Sequence, residues 1–140
     1  MALQANQTRR HVIGDKSQLP VAATARIFQG GAVGENGSGY ARPLNAGDAF
    51  CGFAEAEADN RDGANGAIDA YLKQSGRIEL NVVGASITSN DRPAVYASDD
   101  GTFTLTSTSN SLIGYVSRHI SGTLCVVDYD AALVKAALQA

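Results

Sequence analysis

Few side chains in this sequence have the type and spacing to do chemistry. Of the two histidines, His11 follows Arg9-Arg10 and His119 follows Arg118. Neither stands at His-x-His spacing beside a carboxylate, the pattern a metal-dependent site on a β scaffold requires. A Ser-His-Asp triad meets only in the fold, so spacing does not speak to it, but no strand-turn-helix serine elbow supports one. Cys51 lies in Phe50-Cys51-Gly52-Phe53 and Cys125 in Leu124-Cys125-Val126-Val127. Both neighbourhoods are apolar and lack nearby positive charge, so both thiols read as inert core groups. Glu55, Glu57 and Asp59 alternate, so on a continuing strand they share one face and, with Asp62, offer oxygens to a hard cation. Arg61 then occupies the position where a calcium loop needs an oxygen, and the segment reads instead as an acidic surface for solvent or a partner. Glycines 30, 31, 34, 37 and 39 are followed by no Gly-Lys-Ser/Thr and no helix start, so they read as turn glycines rather than a phosphate cradle. The expectation is a non-enzymatic chain with no catalytic residues, no metal and no cofactor.

The elements that position these groups are short and mostly extended. Met1–Pro20 is polar, without helical or alternating periodicity, and reads as an extended arm. Val21–Phe28 is a strand candidate ended by Gly30-Gly31, and Asn36-Gly37 supplies the positive backbone angles of a tight hairpin before Tyr40–Leu44. Phe50–Glu57 is another strand, residues 59–66 a loop, and Ala67–Leu72 a further apolar stretch. In Arg77–Val82 the residues Ile78, Leu80 and Val82 alternate with polar ones, as a strand with one buried face must. Thr102–Thr106 repeats the pattern through Phe103 and Leu105, after the hairpin signal Asp99-Asp100-Gly101. Leu112–Val116 and Thr123–Val127 complete the series. Only the end reads as helix, with Asp130 as its cap and an apolar stripe of Leu133, Val134, Ala137 and Leu138. Residues 131–140 are too short a helix to stand alone in water and must dock on the body or a neighbour. The expected fold is all-β, a jelly-roll-like sandwich or barrel over residues 21–130, with an N-terminal arm over 1–20 and a C-terminal helix.

Composition agrees with one domain. The chain has 140 residues, 44% hydrophobic and 18% charged, with two cysteines and a net charge of −3. That excludes a disulfide scaffold, and the acidic balance argues against direct nucleic-acid binding by the body. No apolar run reaches the ~20 residues of a membrane-spanning helix, and Met1–Arg10 lacks the apolar h-region of a secretory signal. Charge is segregated: residues 1–42 carry five basic and two acidic side chains, whereas residues 43–72 carry one basic and six acidic. A basic front before an acidic middle suits head-to-tail contact or a partner of mixed charge.

Over Val21–Asp130 the chain resembles the small capsid cement, or decoration, proteins of tailed bacteriophages. The resemblance is carried by four segments: Ile27–Gly34, Asn45–Ala54, Val95–Leu105 and Leu112–Val116, in that order and spacing. It implies a structural virion protein, assembled in the host cytoplasm, that binds the major capsid protein shell and cements neighbouring capsomers. A homo-oligomer is expected, a dimer first and a trimer second, because capsid symmetry axes reward matching symmetry. On that reading Arg9, Arg10 and Lys16 of the arm meet an acidic patch on the shell or a sister subunit, and Glu55, Glu57 and Asp59 form the acidic partner-binding face. The alternative rests on two shorter segments: Ala46-Gly47-Asp48 and Gly66–Tyr71 resemble the first and nucleoside motifs of trimeric dUTP pyrophosphatases, which are also β jelly rolls. Their Gly-Arg-Ser-Gly segment and glycine-rich carboxy-terminal arm have no counterpart here.

Overall fold

The computed structural model describes residues 2, 4–9 and 14–139, residues 138 and 139 by backbone alone. Among the described residues twelve strands and one α-helix follow in order: β1 Lys16–Pro20, β2 Arg26–Ile27, β3 Ala32–Glu35, β4 Ala41–Pro43, β5 Ala49–Ala54, β6 Ala58–Asp59, β7 Asp69–Lys73, β8 Ser75–Val83, β9 Ala94–Ala97, β10 Phe103–Thr104, β11 Ser111–Ser121, β12 Leu124–Asp130 and α1 Ala131–Gln139. A short 3-10 turn covers Ile87–Asp91. The fold is all-β with one C-terminal helix. An open sheet in the order β1-β7-β5-β3-β4 stands beside a closed barrel in the order β10-β8-β12-β11-β9, and β2 pairs with β6 as a separate ribbon.

The barrel follows from alternation. Ile78, Leu80 and Val82 of β8 turn inward opposite Val127, Cys125 and Leu124–Thr123 at the end of β12, and β12 itself buries every second residue through Cys125, Val127 and Tyr129. The Asp99-Asp100-Gly101 turn returns the chain from β9 to β10, where Asp99 accepts the Gly101 N–H at 2.8 Å. That bond holds the Asp99 carboxyl below its ordinary value. The strand expected over Thr102–Thr106 narrows to Phe103–Thr104, because β10 must serve two partners at once, β9 antiparallel and β8 parallel. That double pairing closes the barrel and removes its edges.

The open sheet is covered on both faces along β3 and β5, whereas β7 leaves Asp69, Tyr71 and Lys73 exposed on one side. Ala32, Leu44, Phe50 and Phe53 join the barrel's core, while Val33, Ala54, Ala70 and Leu72 pack beneath Val21, Ile27 and Ala58 in a second cluster. Phe50 and Phe53 are three residues apart, which strict alternation would place on opposite faces. A bulge resolves this: β3 pairs Val33 with Gly52 and Gly34 with Phe50, leaving Cys51 as the extra residue. Gly52 takes φ +137°, and a Cβ there would sit 2.6 Å from the Lys73 carbonyl oxygen, so the bulge requires glycine. Both rings consequently reach Tyr129, with centroids 6.1 and 4.8 Å away in edge-on contact.

Two sequence expectations are corrected here. Val21–Phe28 is not one strand: Val21 makes a single bridge to Ala41, Thr24 turns the chain at φ 62°, and only Arg26–Ile27 pairs. Lys16–Pro20, read as part of an arm, is a sheet strand along β7. Its own sequence has no hydrophobic alternation, and the ladder with β7 supplies what periodicity does not. α1 forms as expected, with Asp130 accepting the N–H groups of Ala132 and Leu133 at 3.0 and 3.1 Å.

Candidate functional site

The residues singled out for partner binding fall at separate places. Arg9 is exposed at the end of the described stretch Gln4–Arg9; Arg10 and His11 lie outside the described residues. Lys16 begins β1, and the chain entering it is tied down by Gln74. The Gln74 backbone N–H donates to the Asp15 carbonyl at 2.9 Å and its side-chain amide to the Gly14 carbonyl at 2.8 Å. The Gln74 carbonyl in turn accepts the first N–H of α1, from Ala131, at 2.9 Å. One residue thus roots both the N-terminal segment and the C-terminal helix on the sheet.

Glu55, Glu57 and Asp59 do not form one acidic face. The strand stops at Ala54, the chain bends at Glu55-Ala56, and extended pairing resumes only in β6 against β2. Each carboxylate then meets its own cation. Glu55 takes the Lys16 ammonium, Glu57 accepts Arg26 Nε at 2.5 Å, and Asp59 accepts the forked Arg61 guanidinium at 2.9 and 2.8 Å. The Arg26 guanidinium also lies 4.7 Å above the Phe28 ring, holding an exposed aromatic at the Gly30-Gly31 turn. These are surface pairs, individually weak and screened by salt. The first two tie β1 and β2 to the segment after β5, and the Asp59–Arg61 pair braces the loop that follows β6.

The Asp59–Arg61 pair gives a direct expectation. Arg61 holds the Asp59 carboxyl down at about 2 through its side-chain and backbone hydrogen bonds. Because the folded value is depressed, whatever stability the pair contributes is present above the ordinary value near ~4 and is lost as pH falls through about 2. Arg61→Met keeps the backbone N–H bond and removes the guanidinium, so it should raise the Asp59 midpoint toward the ordinary carboxylate range, read by carboxyl-carbon NMR titration. An Asp59 midpoint that stays near 2 in the variant would show that the guanidinium is not the cause.

The two motif-like segments are occupied by their own chain. Asp48 accepts Arg42 at 2.9 and 2.7 Å and the Asn45 N–H at 3.0 Å, and its carbonyl accepts the Ser111 hydroxyl at 2.6 Å. It closes the turn between β4 and β5 and, through Ser111, ties that turn to β11 of the barrel. Asp69 accepts Gln18 Nε2 at 2.6 Å. Asp48 precedes β5, whereas the antiparallel register of β5 and β7 carries Asp69 beyond the far end of β5, so the chain holds these two carboxylates at opposite ends of a strand.

The thiols are both free. Burial pushes Cys51 up to about 11, and Cys125, fully enclosed in the barrel, is also raised by burial. Neither sits where a thiolate would form near neutral pH. His119 sets Nε2 2.9 Å from the Gly122 carbonyl, which only accepts, so Nε2 carries the proton and the buried Nδ1 is left without a partner among the described residues. Its backbone N–H is held by Asn90 at 2.8 Å, fixing the 3-10 turn against β11. Among the described residues no group of three or more His, Cys, Asp or Glu side chains gathers, and no helix is long and apolar enough to cross a membrane. Gln74 and the buried Asn60 organise the molecule, yet nothing in their sequence neighbourhoods marks them. Compared with family models, curated proteins and solved structures, the chain finds no match.

Proposed function

We propose that this protein is a structural component of a phage head, binding the major capsid protein shell and cementing neighbouring capsomers. The observation that carries the reading is the rooting of the N-terminal segment. Ala2 and Gln4–Arg9 are exposed, mostly polar and carry a cation at Arg9, while residues from Gly14 onward are fixed by Gln74 and by the full length of β7. A chemically open arm on a rigid root is what a clamp needs: once the body touches the shell, the arm searches a small volume, and its contact forms at high effective concentration. The resemblance of Ile27–Gly34, Asn45–Ala54, Val95–Leu105 and Leu112–Val116 to segments of the cement proteins supports the same reading. Assembly of two or three copies, a dimer first, multiplies the number of contacts per particle.

The test is co-sedimentation with empty mature heads stripped of accessory proteins. The full chain should bind saturably at a fixed ratio to capsid subunits and raise the temperature at which the heads open. Deleting residues 2–13 leaves β1 and its ladder intact, so circular dichroism should be unchanged while shell binding falls by at least about tenfold, the loss expected when one of two linked contacts goes. Undiminished binding by the truncated chain would remove the arm from the mechanism. No binding by the full chain at any salt concentration would remove the shell itself.

A further inference from the structure

The chain contains two Asn-Gly peptide bonds, Asn36-Gly37 in the turn between β3 and β4 and Asn65-Gly66 in the loop before β7. At such a bond the glycine nitrogen can attack the preceding carboxamide, because glycine puts no side chain in the way. The attack needs a glycine N–H free to lose its proton and a carboxamide folded over that nitrogen. It also needs a carbonyl oxygen able to take up negative charge. By accessible area Asn65 is the more open site, being exposed where Asn36 is half-buried. Their hydrogen bonds rank them the other way.

Gly37 is exposed, its N–H donates no hydrogen bond among the described residues, and nothing lies within 4 Å of the place its Cβ would take. Asn36 Oδ1 reaches past it to accept the Ser38 N–H at 2.8 Å and the Tyr40 N–H at 3.2 Å. A side chain bonded to the N–H two residues ahead is folded over the peptide in between, which here is the one that holds the Gly37 nitrogen. Both donors point at the oxygen on which charge gathers when a nitrogen adds to the carbonyl carbon. The turn itself is held by the Asn36 N–H on the Tyr40 carbonyl at 3.0 Å and by the Gly39 N–H on Glu35 at 2.7 Å.

Asn65-Gly66 is built differently. The Gly66 N–H donates to the Val21 carbonyl at 2.9 Å, which keeps its proton in place and fixes the peptide plane. Asn65 Oδ1 is turned to the Ala23 N–H at 2.8 Å, on another segment of the chain. Tyr40 and Pro20 pack close to Gly66, 3.6 and 3.8 Å from where a Cβ would stand.

We propose that Asn36 is a site of spontaneous conversion to aspartyl and isoaspartyl residues, and that the fold shields Asn65 from the same reaction. The Gly37 nitrogen gives its proton to hydroxide or water and bonds to Asn36 Cγ. The Cγ–Nδ2 bond breaks and ammonia leaves, closing a succinimide ring. Water then opens the ring at either carbonyl, so the net change consumes a water and releases an ammonia. Both products place a new carboxylate beside Glu35. The isoaspartyl product also lengthens the backbone of the turn, next to the edge strand β4 of the open sheet. The site is independent of the shell-binding reading and is tested on the purified full chain alone.

The folded chain is held in mildly alkaline buffer and sampled by peptide mass spectrometry, with electron-transfer fragmentation to separate isoaspartyl from aspartyl. A parallel sample is unfolded in urea. In the folded chain Asn36 should convert at least about tenfold faster than Asn65, the factor expected when one site must first open a backbone hydrogen bond. Conversion at Asn36 should quicken as pH rises, since the attacking nitrogen must lose its proton. In urea the hydrogen bonds are gone and the two sites should convert at similar rates. Folded Asn65 reacting as fast as Asn36 overturns the proposal. So does a folded Asn36 that keeps its amide while the unfolded chain converts. A gap of the same size in urea would place the selectivity in the sequence and overturn the role given to the fold.

Discussion

Asn60→Asp, a change of one amide nitrogen to one oxygen at nearly constant shape, should destabilise the chain by about 3–5 kcal/mol at neutral pH. Asn60 is 3% exposed, and its Nδ2 shares its two hydrogens among three backbone carbonyls, those of Val21 at 3.3 Å, Ala22 at 3.0 Å and Ala64 at 3.0 Å. Its own N–H goes to the Ala25 carbonyl and its carbonyl accepts the Gly63 N–H. The residue is the hub that holds the irregular segment 21–25 over the second core cluster. An aspartate there turns a carboxylate oxygen toward three carbonyl oxygens in a site closed to water. The buried carboxyl must then stay protonated in the folded state, raising its folded pKa above the unfolded value near ~3.9. A raised acid pKa means the folded state binds more protons, so stability is greatest below ~4 and falls as pH rises toward the raised value. Urea unfolding at several pH values reads both the loss and its sign. An Asn60→Asp chain as stable as the parent at neutral pH, or one more stable there than in acid, would show that the three carbonyls have other donors.

Gly114→Ala is expected to cost about 2–4 kcal/mol, well above an ordinary added methyl, because what it strikes cannot rotate away. Gly114 lies in the middle of β11 between Tyr129 on β12 and Val95 on β9. A Cβ on it would stand 2.8 Å from the Asp128 carbonyl carbon and 2.9 Å from the Tyr129 Cα, pressing on the Asp128 carbonyl oxygen. Those atoms belong to the neighbouring strand's backbone, so relief requires β11 and β12 to separate and break ladder bonds of the closed barrel. Gly30→Ala is the comparison. Gly30 has φ +81° but nothing within 4 Å of its added methyl, so only the backbone penalty of ~1 kcal/mol applies. Thermal melts of the two variants should therefore separate clearly, with Gly114→Ala far lower. Equal melting temperatures would mean that the barrel seam yields to a methyl at little cost.

Much of the barrel is legible in the chain itself. The alternation of Ile78, Leu80 and Val82 sets which face of β8 is buried, since a strand's side chains change sides at every residue. Asp99-Asp100-Gly101 marks its hairpin through a local hydrogen bond, and Asp130 marks the helix start through two more. Such contacts span two or three residues, so residue type at fixed offset identifies them. The same holds for the inert thiols, whose apolar neighbours in sequence become apolar neighbours in space.

What escaped periodicity had partners far along the chain. β1 is a strand because β7 lies beside it, more than fifty residues later, and Lys16, Gln18 and Leu19 carry no local sign of that. Phe50 and Phe53 share a face only because Gly52 bulges against the Lys73 carbonyl. Glu55, Glu57 and Asp59 alternate in sequence, but β1 and β2 bring Lys16 to Glu55 and Arg26 to Glu57, while Asp59 is taken by Arg61 two residues on. A groove beside α1 gathers Gly76, Tyr115, Tyr129 and Leu133 from four elements. By itself, then, the sequence determined the all-β class, the inward faces of the barrel strands, the main hairpin and the capped helix, because those rest on steric rules acting between near neighbours. Only the tertiary structure decided where the carboxylates find cations, which polar groups are left unmatched and where the glycines open space. Those outcomes depend on distances between strands, and no local pattern encodes a distance.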